Sequence, residues 1–242
     1  LDWNDMPETE IVLSIDSSDE LASISLQLIG GDRDSKYFGD SWIVETTIAQ
    51  ELLDRMDKLL TRAHIGKREL TRLVVISGPG RYASLRVGLA TVQGLSLGLD
   101  IPAASVPRFY ADAWNASLEL TSPVLITVLH DAKSTGVVAQ KFNCTGPTLF
   151  EEYAQPEVYR LEELAEKLPA GGLIAGDLTD RICAQIPASL QSKIIPENSD
   201  PRRSRALAAL EYSLAHASIF KGAEQIDALY VRPPNITSRT ER

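Results

Sequence analysis

The chain has 242 residues, 44% hydrophobic and 24% charged, a balance that fits one large globular domain or two lobes and excludes a disordered chain. A formal net charge of −9 gives no global pull toward a polyanion, so free nucleic acid is not an expected ligand of the chain alone. No apolar run reaches the ~18 residues of a membrane span, and Cys144 and Cys183 show neither metal spacing nor a C-x-x-C motif, so a reducing, cytoplasmic setting without membrane contact is expected.

The first residue is Leu1 rather than Met, which leaves a removed organellar leader open. Residues 1 to 9 are polar and read as a frayed end. "EIVLSID" is an apolar run ending in an acid and predicts a buried strand. "DSSD" then turns the chain into the alternating "ELASISLQLIG", its antiparallel neighbour. "DSKYFGDSW" predicts a third strand with a loop. From Glu45 to His64 the residues Ile48, Leu52, Met56, Leu59 and Ala63 recur at helical spacing, with Gly66 as the expected stop. "RLVVISGPG" is a strand entering a turn, and Ser84 to Gly98 is a second helix with Ser84 as its cap. "IPAASVP" and "RFYADAWNASL" follow as strand and helix.

Near Ser122 the pattern restarts. "PVLITVLHDAKSTGVVAQKF" predicts strand, acidic turn and strand, and "LEELAEKL" a helix. "GGLIAGD" then reads as a strand, "LTDRICAQI" as a helix and "KIIPENS" as a short strand, before a last helix over Arg205 to Lys221. The recurrence predicts two related α/β lobes, residues 1–110 and 111–242, with a seam near 105–122. Packing of the final helix or tail back onto the first lobe is left open.

Two turns invite a phosphate. Asp16, Ser17 and Ser18 end a buried strand, where backbone N–H groups converge on an anion and an acid holds hydrated magnesium, or where an ordinary hairpin satisfies itself. Gly78 and Gly80 flank Pro79 before a helix, which suits an anion at the helix start or simply a tight strand-to-helix connection. The turn fits neither a Walker loop nor G-x-G-x-x-G. Asp131 repeats the placement of Asp16 in the second half, with only Gly136 for backbone freedom, and reads as structural.

The second helix is apolar nearly all round, interrupted by Arg86 and Gln93. Either it lies at the centre of its own lobe, or another chain covers one side. The basic cluster Arg202, Arg203 and Arg205 reads as a solvated helix start. Asn115, Asn143 and Asn235 head chance N-x-S/T triplets. His64, His130 and His216 lack metal spacing, and no nucleophile elbow is present, so neither a metal site nor a catalytic residue is expected.

"IVLSIDSSDELASISL", "ISGPGRYASLRVGLATVQGLSLGLDIPAASV", "HDAKSTGVVAQ" and "ALYVRPP" resemble the TsaB (YeaZ) family, whose turn runs Gly-Pro-Gly-Ser-Phe-Thr-Gly-Leu-Arg-Ile-Gly. Gly78, Pro79, Gly80, Leu85, Arg86, Gly88, Leu89, Ala90, Thr91, Gly94 and Leu95 stand in matching places. The resemblance is good over about the first 110 residues and thin beyond them, apart from the Asp131 turn and the C-terminal tail. It departs at Ser17, at Arg81 to Ser84, at Gln93, and at the start of the first long helix.

The resemblance implies a two-lobed, actin-like and sugar-kinase-like (ASKHA) fold. It implies a non-catalytic scaffold for threonylcarbamoyl-adenosine formation on tRNA, next to the anticodon. The partners implied are a TsaD-type catalytic subunit and a TsaE-type ATPase, with tRNA reached only through the complex and a homodimer when the chain is alone. By the same analogy Ile48, Leu52, Met56 and Leu59 of the first helix, with Val87, Gly88, Thr91, Val92, Gly94, Leu95 and Gly98 of the second, form the partner interface. No cofactor is firmly implied; weak ATP or ADP with Mg2+ at the complex interface stays open. The alternatives are an ATP-dependent kinase or ATPase of the same fold using Asp16 and Asp131, and a metallopeptidase, which the missing histidine pair disfavours.

Overall fold

The computed structural model describes residues 9–30, 35–195, 203–229 and 231. Two five-stranded mixed sheets organise it. The first comprises β1 (Glu10–Asp16), β2 (Leu21–Ile29), β3 (Lys36–Ile43), β4 (Arg72–Gly78) and β5 (Ala103–Pro107), in the order β3-β2-β1-β4-β5. β1, β2 and β3 form an antiparallel meander, while β4 and β5 run parallel to β1. The second comprises β6 (Val124–Asp131), β7 (Val137–Gly146), β8 (Leu149–Glu152), β9 (Glu157–Tyr159) and β10 (Leu173–Gly176). Its order is β10-β6-β7-β8, with β9 also paired to β7.

Among the described residues the α-helices are α1 (Ile48–Ala63), α2 (Tyr82–Leu99), α3 (Arg108–Ser117), α4 (Leu164–Lys167), α5 (Asp180–Cys183) and α6 (Arg205–Ala215). Side-chain parity along the strands sorts them into layers. Leu13, Ile15, Leu73 and Val75 pack against α1 and α2. Val12, Val74 and Ile76, on the other face, pack with Ala111 and Trp114 of α3 and with Ala208, Ala209 and Leu210 of α6. The opposite side of α3 places Phe109, Ala113 and Ala116 against Ile126, Val128 and Phe142 of the second sheet. That sheet's far face carries Leu129, Val137 and Ile174, covered by Leu164 of α4 and Ile182 of α5. Both faces of both sheets are therefore clothed, which is why β1 and β4 read as nearly continuous apolar runs. These are the two α/β lobes expected from the sequence, with α3 and α6 as a middle layer.

Some boundaries differ from the sequence reading. α1 ends because His64 takes a left-handed conformation (φ 57°) and its N–H returns to Leu60 and Thr61, so Gly66 is not the stop. The cap position of α2 is Arg81, which leaves Ser84 inside the first turn. α6 stops at Ala215, since His216 leaves helical geometry. β8 and β9 went unpredicted: β8 is four residues and mostly exposed, and β9 is only three residues, so neither shows a burial period. In "KIIPENS", Ile194 makes one bridge to Ile174 and residues 196–200 lie outside the described residues, as do residues 1–8, Arg202 and Asn235. Among the described residues no helix is long and apolar enough to cross a membrane.

Candidate functional site

The carboxyl ends of β1, β4, β6 and β10 meet where the lobes face each other, the usual place for a ligand crevice in α/β sheets. There they border a cleft of about 810 Å³, lined by Ser18, Asp19, Gly80, Arg81, Asp131 and Asp177 among others. Ser18, Gly80 and Asp131 are thus brought together as the phosphate reading requires. Asp16 is not at the cleft: it is 1% exposed and borders a smaller hollow of about 270 Å³. Ser17 and Gly78 are buried behind the turns.

The two turns satisfy each other. The Arg81 N–H donates to the Ser18 carbonyl at 2.8 Å, and a Cβ on Gly80 would collide with that carbonyl. The Ser17 hydroxyl donates to the Ser84 carbonyl at 2.9 Å, and the Ser18 N–H donates to Asp16 Oδ1 at 2.8 Å. Gly78 has φ +110°, a conformation a side chain would strain. Burial raises the Asp16 pKa, and Arg205 and Arg108 offset this only in part.

Asp131 is equally engaged. It accepts from the Lys133 N–H at 2.8 Å and from the Thr179 hydroxyl at 3.0 Å, with Arg181 at 3.4 Å. A hydrated magnesium ion needs carboxylate oxygens free to take it. Asp16 lies under the turn and Asp131 is neutralised in place, so this pair does not fit a magnesium–nucleotide. Among the described residues no group of three His, Cys, Asp or Glu is disposed to hold a metal.

An ionic cluster at the cleft floor was not foreseen from the sequence. Arg108, 1% exposed at the start of α3, bonds Asp177, reaches Asp19 at 3.2 Å and lies 3.8 Å from Asp112. Arg205 on α6 bonds Asp112 at 2.7 Å and Asp177 at 3.3 Å. His130 Nδ1 is 2.7 Å from Asp177 Oδ2. Burial alone would raise the Asp177 pKa; Arg108, His130 and Arg205 outweigh it and hold the carboxyl well below its ordinary range. The available hint was Arg108 and Asp112, an i,i+4 pair and the only charged residues of α3.

The interface set divides in two. Ile48, Leu52, Met56 and Leu59 of α1 are at most 5% exposed and point into the first core, as does Val92 of α2. They face the sheet and offer nothing to a partner in the single chain, because the periodicity that revealed the helix marks its inner face. Gly88 is also internal: a Cβ there would strike Ser17. Val87, Thr91 and Leu95 are half-buried at the border.

The outward face of α2 carries Tyr82, Ala83, Arg86, Ala90, Gly94, Leu97 and Gly98, with the Arg86 guanidinium 4.5 Å above the Tyr82 ring. Leu97 is 73% exposed, and among the described residues nothing lies within 4 Å of where a Cβ on Gly94 or Gly98 would stand. On α1, Leu53 is 52% exposed. From Ala90 to Gly98 this flank is small and apolar and, among the described residues, uncovered.

Comparison with known proteins gives the family. Residues 43–198 match the family described as TsaD: tRNA N6-adenosine threonylcarbamoyltransferase. A tRNA N6-adenosine threonylcarbamoyltransferase of Nitratidesulfovibrio vulgaris is 44% identical over 63 residues, 26% of this chain and 18% of that protein. The tRNA threonylcarbamoyladenosine biosynthesis protein TsaB of Buchnera aphidicola is 35% identical over 51 residues, 21% of this chain and 23% of that protein. These matches span less than a quarter of the curated relatives' lengths. In fold, YeaZ from Pseudomonas aeruginosa superimposes with a TM-score of 0.72 at 20% identity, over 92% of this chain and 100% of that one. The chain belongs to the TsaD (tRNA N6-adenosine threonylcarbamoyltransferase) family and is a YeaZ/TsaB-like member of it.

Proposed function

We propose that the chain is a scaffold subunit that binds a TsaD-type catalytic subunit and supports threonylcarbamoyl transfer to adenosine of tRNA. The observation that carries this reading is the uncovered outer face of α2, where Ala90, Gly94 and Gly98 leave room for a helix and Leu97 stands in water. Covering a Leu side chain is worth about 1.5–3 kcal/mol, and small residues let two helix backbones approach closely. Leu53 of α1 is also exposed, and a specific pairing would bury on the order of 1,600 Å².

In this reading a TsaE-type ATPase joins the assembly and tRNA is reached through it, since the chain's net charge of −9 opposes binding tRNA alone. The same face serves a homodimer when the partner is missing. An ATPase reading that uses Asp16 and Asp131 is disfavoured because Asp16 is 1% exposed away from the cleft and Asp131 already faces Arg181.

The test is co-purification with the TsaD-type subunit of the same organism. Gly94→Arg and Leu97→Asp lie on the exposed face and are expected to abolish capture while the thermal midpoint changes little. Capture that survives both substitutions would overturn the proposal.

A further inference from the structure

Two-lobed proteins commonly close on a ligand by hinge motion. We infer that the lobes of this chain are instead latched at one angle by the Arg108 cluster, so that the cleft keeps its width whether or not a nucleotide is supplied.

One guanidinium spans the junction. Arg108 contacts Asp19, in the turn between β1 and β2 of the first lobe, and Asp177, just past β10 of the second. Arg205 ties the same Asp177 to Asp112 of α3, and His130 and the Asp131 N–H hold its other oxygen. Moving the lobes apart strips Arg108 of Asp19 or of Asp177 at a site 1% exposed, and a buried charge that loses a carboxylate there gains no water in exchange, with only Asp112 at 3.8 Å and one lobe's acid left to hold it.

The middle layer reinforces the latch. Phe109 of α3 sits in the second lobe's core while Ala111 sits in the first lobe's, within one turn of the same helix. A helix committed on both sides leaves no compliant segment there. The cleft also offers little to drive closure, because the carboxylates of Asp131 and Asp177 already hold cations.

The experiment measures the interlobe distance by electron spin resonance. The full chain carries Cys183→Ser, keeps the buried Cys144, and bears labels at Arg68→Cys and Glu162→Cys, both exposed. One narrow distance is expected, unchanged by millimolar ATP with magnesium. Asp19→Ala removes the first lobe's hold on Arg108 at a side chain 32% exposed, so the protein is expected to fold and the distribution to broaden at least twofold. Two distances in the unaltered latch, a shift on adding nucleotide, or an unchanged width in Asp19→Ala would overturn the inference.

Discussion

Gly88 and Gly94 occupy one helix and look alike in the sequence, yet their surroundings differ. A Cβ at Gly88 meets Ser17, whereas one at Gly94 meets none of the described residues within 4 Å. Gly88→Ala is therefore expected to destabilise the fold, the ~1–3 kcal/mol of overpacking exceeding the ~1 kcal/mol of gained helix propensity. Gly94→Ala is expected to stabilise it by about 0.8–1.0 kcal/mol. Urea denaturation of the two variants checks the opposite signs. Asp16 offers a second test. Its folded pKa is raised by burial, so its carboxyl adds stability at low pH, and that contribution is lost as pH rises through the folded value. Asp16→Asn, which keeps an acceptor for the Ser18 N–H, is expected to melt a few degrees higher than wild type at pH 7. The difference should vanish below the ordinary carboxylate value of 3.8. A lower midpoint at pH 7 would mean that Asp16 is held charged and ligand-ready.

At the scale of the element, α2 presents two unlike apolar faces. Leu85, Leu89 and Val92 are at most 5% exposed against the first sheet, while Leu97 is 73% exposed. A charge placed on either side should be disruptive in different ways. Val92→Asp buries an unpaired charge and is expected to unfold the lobe, visible as loss of the cooperative melting transition. Leu97→Asp is expected to leave that transition in place and to remove partner capture alone. If both variants lose the transition, Leu97 supports the fold rather than a partner. The same division explains α1, whose Leu53 faces outward while Leu52 and Met56 do not.

At the scale of the whole molecule, the lobes meet through charge as well as through the α3 and α6 layer. Asp177, with its pKa depressed, contributes stability that is fully present above the unfolded carboxylate value and lost as pH falls below it, toward the folded one. Stability is expected to decline as pH drops below about 4. Because Arg108 and Asp177 are nearly inaccessible, 1 M salt should leave most of that decline in place. Melting curves from pH 3 to 7 at two salt concentrations measure this; a decline abolished by salt would point to surface pairs such as Lys58–Asp54 instead.

Much of this protein was fixed locally. The apolar runs of β1 and β4, the period of α1 and the acid-ended turns at Asp16 and Asp131 follow from short-range pattern, as does the family likeness around Gly78 to Gly98. Only the tertiary structure decided which residues of α1 and α2 face outward, because periodicity marks a helix's apolar stripe without saying what lies against it, and on α2 apolar residues occur all round. Only it assembled the Arg108 cluster, whose members Asp19, Arg108, Asp177 and Arg205 are distant in the chain and meet where two sheets share a helix layer. Buried ion pairs depend on three-dimensional proximity and shared desolvation, and a linear pattern records neither.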